Sequence, residues 1–203
     1  MDAERAQNPP MGEKIVTVFG SSRPQRGDAD YEEAQKLGTV LAQRGFSVCT
    51  GGYGGVMEAA SRGAKDGGGK TYGVTAEFFS RNANQWIDVE VRKKTWQERL
   101  FALIELGDGF VACKGGTGTL VELAVVWEML NKSVMAAKPL VVLGDFWQPI
   151  LQRVREVELR PPSAHVWAEA NGKLVHSAKG VEEAVGFLAA QLETGNAKRE
   201  NRK

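Results

Sequence analysis

Residues Phe110 to Asn131 read FVACKGGTGTLVELAVVWEMLN, and the fold follows from this stretch. It opens as a short apolar run suited to a buried strand. It breaks at Lys114-Gly115-Gly116-Thr117-Gly118-Thr119 and resumes with Leu120, Leu123, Ala124 and Trp127 at helical spacing. Glycines in the break let the backbone turn sharply and leave its N–H groups uncovered by any Cβ. A loop of this kind, running into a helix N-terminus, suits an anion and above all a phosphate. A tight strand-to-helix turn that binds nothing would need one glycine, not three and two threonine hydroxyls.

Two further strand ends carry glycine. Lys14 to Phe19 (KIVTVF) reads as the first strand and runs into Gly20-Ser21-Ser22-Arg23-Pro24. Phe46 to Cys49 reads as the second and runs into Thr50-Gly51-Gly52-Tyr53-Gly54-Gly55 ahead of a helix through Ala59, Ala60 and Ala64. Around them, strands are expected at Thr71 to Thr75, Trp86 to Val91 and Pro139 to Leu143, with weaker candidates at Val166-Trp167 and Leu174 to His176 on either side of the turn Asn171-Gly172. Helices are expected behind capping boxes at Asp30/Glu33 and Thr95/Glu98, over Phe146 to Val157 with Pro149 in the first turn, and over Val181 to Leu192. Pro161-Pro162 reads as a rigid break. Short apolar strands alternating with helices predict an α/β fold with three Rossmann-like layers, a central parallel sheet covered by helices on both faces. Ligands gather at the carboxyl ends of such strands, where Gly20, Gly51 and Gly115 all fall.

The organisation expected is a disordered segment over 1–13, one nucleotide-binding domain over 14–192 and a charged flexible tail over 193–203. The chain's 203 residues suffice for one sizeable core. Net charge is +1, and Lys198, Arg199, Arg202 and Lys203 against Glu200 put +3 in the last eight residues, which leaves the remainder near −2 (1 − 3). That balance argues against a nucleic-acid partner. No apolar run spans a membrane, and the polar start is not a signal peptide, so a cytoplasmic protein is expected. Cys49 and Cys113 read as buried apolar residues; His165 and His176 read as strand residues, and no metal site or cofactor is expected. The dinucleotide fingerprint is missing, and Lys114 precedes its glycines instead of following them as in a P-loop.

Lys114 to Glu122 (KGGTGTLVE) resembles the PGGxGTxxE signature of the LOG family, the cytokinin riboside 5′-monophosphate phosphoribohydrolases once labelled lysine decarboxylases. Gly20-Ser21-Ser22 and the segment from Thr50 resemble that family's other two glycine turns. The resemblance orders most of residues 15–145. It implies hydrolysis of the N-glycosidic bond of a nucleoside 5′-monophosphate, and a homodimer with sites near the interface. The family's arginine falls on Arg99 and its signature glutamate on Glu122. Lys114, Thr117, Leu100, Val121 and Tyr53 stand where the family has proline, tyrosine, lysine, glutamate and glycine. These changes resemble a sister branch that includes molybdenum cofactor carriers, which hold a phosphorylated pterin without turning it over.

The chemistry expected is therefore phosphate or nucleotide binding by Gly20, Ser21, Ser22, Gly51, Gly52, Gly55, Lys114, Gly115, Gly116, Thr117, Gly118 and Thr119. Glu122 would stabilise an oxocarbenium-like sugar or orient water, and Arg99 would hold the ribose or its phosphate through its fork of donors. Against this stand three bland roles: Glu122 capping a helix from Thr119, Arg99 facing solvent, and Met57, Trp86 and Trp96 as core rather than pocket. Arg81 and Asn82 are possible ligand contacts in an otherwise irregular loop. A carrier of a phosphorylated pterin is the alternative to a hydrolase, and no lysine suggests a pyridoxal Schiff base.

Overall fold

The structure, a computed structural model, describes Pro10 and residues 12–158 and 172–200, without the side chains of residue 158 and of residues 194–200. Seven strands form one sheet: β1 (Ile15–Phe19), β2 (Ser47–Thr50), β3 (Thr71–Ala76), β4 (Val89–Lys93), β5 (Gly109–Ala112), β6 (Leu140–Leu143) and β7 (Val175–Ala178). Their order is β4-β3-β2-β1-β5-β6-β7 and every pairing is parallel. Among the described residues the α-helices are α1 (Ala29–Gln43), α2 (Val56–Asp66), α3 (Trp96–Leu106), α4 (Thr117–Asn131), α5 (Gln148–Glu158) and α6 (Val181–Glu200). This is the expected three-layer, Rossmann-like α/β fold.

Five strands are buried along their whole length, which is why they read as apolar runs without alternation. Alternate residues feed two cores. Val16, Val18, Val48, Val111 and Val141 pack under α1, α2 and α6, while Ile15, Phe19, Cys49, Phe110 and Val142 pack under α3, α4 and α5. Cys49 and Cys113 are thus buried, one on each face, and burial pushes both thiols up to about 12. Thr17 is fully buried in the central strand and satisfies its hydroxyl by donating to the Leu103 carbonyl at 3.0 Å.

The carboxyl ends of β1 and β5 are neighbours, and from that point the chain winds outward in both directions. Here lies the switch in strand order, with the Gly20 turn after β1 and the Lys114 loop after β5. One hydrogen bond ties them: the Ser21 N–H donates to the Lys114 carbonyl at 3.2 Å. The Ser21 carbonyl accepts from the Val56 N–H at 2.8 Å, which draws in the loop after β2. The three glycine-bearing turns therefore form one surface.

Some local expectations are corrected. Asp30 and Glu33 form no capping box: α1 starts at Ala29 behind Asp28, whose carboxylate instead accepts from the Gln25 N–H at 2.8 Å. The Asp30 carboxylate meets Lys114 Nζ at 2.9 Å. The strand expected from Trp86 begins at Val89, because Trp86 lends its carbonyl to the Thr71 hydroxyl at 2.6 Å. The last helix continues to Glu200 instead of ending at Leu192. The capping box at Thr95/Glu98 forms as expected, and Pro149 sits in the first turn of α5. The expected break at Pro161-Pro162, the strand candidate Val166-Trp167, His165, Asn171 and most of the segment 1–13 lie outside the described residues.

Helices α1 and α2 cross in close contact at two glycines. A Cβ on Gly38 would lie 2.0 Å from the Ala60 carbonyl oxygen, and one on Gly63 would lie 1.8 Å from that of Gln35. Thr39 strengthens the crossing by donating its hydroxyl to the Gly63 carbonyl at 3.0 Å. Gly63→Ala, although it favours helix, should lower the stability by about 1–3 kcal/mol, because backbone rather than a yielding side chain blocks the methyl. Urea unfolding checks this; an unchanged midpoint would mean that the two helices separate at no cost.

Candidate functional site

A cleft of about 320 Å³ opens at the switch point, between the Gly20-Ser21-Ser22 turn, the N-terminus of α4 and the first turn of α3. Gly20, Ser21, Ser22, Gly116, Thr117, Gly118, Thr119, Arg99 and Glu122 all line it. Gly51, Gly52 and Gly55 do not, although Gly51 packs against Arg99 and Gly55 against Ser21 and Ser22, which do. Lys114 and Gly115 face a neighbouring cavity.

The glycines divide by what a Cβ would meet. On Gly20 it would strike Val56, on Gly55 the Ser21 carbonyl, and on Gly115 the Thr119 side chain. On Gly51 it would occupy the place of the Arg99 guanidinium. Packing alone accounts for those four residues. On Gly116 and Gly118 a Cβ would meet nothing within 4 Å, and Gly116 has φ −93°, which any residue adopts. Packing does not account for those two. They leave the first turn of α4 open to the cleft, with backbone N–H groups that no helical carbonyl can reach.

Arg99 is the central side chain. It comes from the fourth residue of α3, behind the Thr95 capping box, and is 6% exposed, so the solvent-facing reading is excluded. Its Nε donates to the Val74 carbonyl at 2.8 Å and one terminal nitrogen to the Gly51 carbonyl at 3.1 Å. The other terminal nitrogen stands 3.7 Å from Glu122 Oε1. The rings of Tyr53 and Phe79 lie 5.5 and 5.7 Å from the guanidinium carbon, within cation–π range. The fork of donors expected to face a ligand is thus largely spent on the protein's own backbone.

Glu122 lies one turn into α4, whose N-cap is Gly116, so Thr119 is already helical and no cap from Thr119 to Glu122 exists. The carboxylate faces Arg99 across the cleft floor. Burial pushes it up to about 7, and Arg99 holds it from rising further. A buried carboxyl poised near neutrality in a cleft is the kind of group that acid–base and charge-stabilising chemistry uses.

Met57 and Trp96 line the cleft and Trp86 does not; Arg81 lines it and Asn82 does not. Tyr53, Phe79, Arg23 and Leu100 also contribute. Tyr53 was legible only as a departure from glycine. Its hydroxyl donates to the Ala76 carbonyl at 3.2 Å and accepts from the Ala76 N–H at 2.9 Å, which pins the second glycine loop to the end of β3. No local pattern marks Phe79, which a short 3₁₀ turn over Glu77–Phe79 brings in from the polar loop.

The family model described as the SLOG cluster4 family matches residues 13–164. The chain belongs to this family. Its relatives include the cytokinin riboside 5′-monophosphate phosphoribohydrolase of Rhodococcoides fascians, 30% identical over 149 residues that make up 70% of this chain and 74% of that protein. Another is the cytokinin riboside 5′-monophosphate phosphoribohydrolase LOG of Oryza sativa subsp. japonica, 31% identical over 146 residues, 68% of this chain and 58% of that one. Among solved structures, this SLOG cluster4 chain is similar to the molybdenum cofactor binding protein from the phototrophic bacterium Rippkaea orientalis. The TM-score is 0.68 at 26% identity, with 90% of this chain and 99% of that one covered. No helix among the described residues is long and apolar enough to cross a membrane.

The Arg99–Glu122 pair of this SLOG cluster4 protein carries a stability prediction with a definite sign. A carboxyl whose pKa is raised from 4.5 to about 7 by folding favours the native state below pH 4.5 and loses that advantage as pH climbs through 7. Glu122→Gln should therefore gain stability over the parent progressively between those values. Arg99→Met should lose about 2–4 kcal/mol, since it orphans two buried carbonyls, and it should be non-additive with Glu122→Gln. Denaturant titrations from pH 4 to 9 test both; a pH-independent difference for Glu122→Gln would mean the carboxyl is solvated.

Proposed function

We propose that this protein is a phosphoribohydrolase that cleaves a nucleoside 5′-monophosphate to free base and ribose 5-phosphate. The observation that carries the reading is the placement of Glu122, a buried carboxyl poised near pH 7, across one cleft from glycines that packing does not require. Membership of the SLOG cluster4 family and similarity to named phosphoribohydrolases support it.

In this reading the 5′-phosphate sits on the N–H groups of Gly116 to Thr119, where the helix dipole and open glycines favour an anion. The sugar lies over the cleft floor with its anomeric carbon near Glu122. The C–N bond breaks with its electron pair leaving on the base, and the sugar acquires oxocarbenium character. The Glu122 carboxylate stabilises that charge and orients a water, whose oxygen bonds to the anomeric carbon. One water proton is lost and the departing base takes up a proton. Arg99 acts as a positioning residue: two nitrogens anchored on backbone carbonyls and two ring faces hold it where it keeps Glu122 ionisable. Met57, Phe79 and Trp96 are the side chains suited to the base.

Ionised Glu122 is the active form, so kcat/KM should rise with pH through about 7 and level off above it. Glu122→Gln should lower kcat about a hundredfold or more, as loss of a preorganised charge-stabilising group does, and abolish that limb of the profile. Release of base from AMP and related monophosphates, followed from pH 5 to 9, tests this. Retained turnover in Glu122→Gln would remove the carboxylate from the mechanism. The resemblance to a molybdenum cofactor binding protein makes retention of a phosphorylated pterin the second reading. Tight pterin binding with no cleavage of any monophosphate would establish it in place of the first.

Gly116→Val separates loop from scaffold. The Cβ position is open and the backbone angle is one any residue adopts, so the cost in stability should be the ~1 kcal/mol of losing a favourable N-cap residue. AMP binding should fall at least tenfold while adenosine binding is unaffected. Calorimetry showing equal losses for both would place the phosphate elsewhere.

A further inference from the structure

A second cavity of about 350 Å³ adjoins the cleft across the Ser21–Pro24 turn. Ser21 and Arg23 line both spaces. The glycine loop is divided the same way, with Gly116 opening on the cleft and Gly115 on the second cavity. A phosphate seated on this loop therefore stands at a boundary with room on either side. A nucleoside monophosphate fills one side only.

The chemistry of the second cavity indicates what would fill the other. Arg23 and Lys114 are balanced by Asp28 and Asp30. Lys114 is held by Asp30 at 2.9 Å, so no surplus of cations awaits a string of phosphates. Arg23 is exposed at the shared wall, where it can reach one phosphate beyond the loop. Phe146 also lines this cavity and is 44% exposed although it packs edge-on against buried Trp147 with ring centroids 4.9 Å apart. An aromatic face held in place at the mouth of a cavity suits a flat heterocycle, and the carboxylates beside it suit hydroxyl or amino donors.

We propose that the second cavity binds a second nucleoside, joined by a diphosphate to the one over Glu122, so that the complete ligand is a dinucleotide-type diphosphate. The proposal rests on the phosphate seat of the preceding section. It does not need the glycine fingerprint after the first strand, since the phosphates lie on the loop after β5.

Calorimetric titration of the full chain with adenosine, AMP, ATP and diadenosine diphosphate tests it, using the parent, Phe146→Ala, Phe146→Leu and Arg23→Ala. Diadenosine diphosphate should bind at least about tenfold more tightly than AMP or ATP. Phe146→Ala should remove about tenfold of that gain, and Phe146→Leu nearly as much, because stacking needs the ring and not its bulk. Both should leave AMP binding unchanged. Arg23→Ala should weaken the diphosphate more than AMP. The proposal fails if ATP gains as much as the dinucleotide, since the cavity would then read charge, or if the Phe146 variants bind all four compounds like the parent. AMP binding no tighter than adenosine would bring down the phosphate seat itself, and the second site with it.

Discussion

The guanidinium of Arg99 is the constraint on which the site depends. A charge this deep costs several kcal/mol to take out of water, and it is retained only where partners surround it. Two of those partners are backbone carbonyls of neighbouring strands, Val74 within β3 and Gly51 just after β2. The third is Glu122 in α4. One side chain thus fixes the distance between the left half of the sheet, the helix after β4 and the helix after β5. Gly51 has to be glycine because the guanidinium occupies the volume of a side chain there.

The switch point at β1 and β5 explains why so few residues suffice. Parallel strands deliver their following loops to one edge, and adjacent central strands bring the Gly20 and Lys114 turns within hydrogen-bonding reach. The Val56 N–H donating to the Ser21 carbonyl and the Tyr53 hydroxyl paired with Ala76 then lock the loop after β2 against this frame. The site is assembled from backbone groups whose positions follow from strand register, and Arg99, Glu122 and the cleft aromatics add side-chain chemistry to it.

The sheet was legible in the sequence because its buried strands are short apolar runs bounded by glycine, and no tertiary contact alters that pattern. The glycine loop was legible for the same reason. Arg99 and Glu122 were found through family resemblance, but the geometry of Arg99 was not: nothing in QERLFAL announces that the fork turns inward to two carbonyls. The capping spacing of Thr119 and Glu122 pointed to a hydrogen bond that does not form, since α4 begins earlier, at Thr117. Asp30 and Glu33 misled similarly, because the partner of Asp30 is Lys114, distant in sequence. Phe79 and the second cavity depend on how a polar loop and a turn fold back over the sheet edge, which no local periodicity encodes.

Each of the two thiols stands on a different face of the sheet, and both are buried. With their ionisation pushed up to about 12, almost no thiolate exists at neutral pH. Alkylating reagents and mild oxidants must then wait for the helical layer above each cysteine to lift. The rates at which Cys49 and Cys113 are labelled become a natural clock for the opening of the two layers, read separately in an otherwise cysteine-free chain.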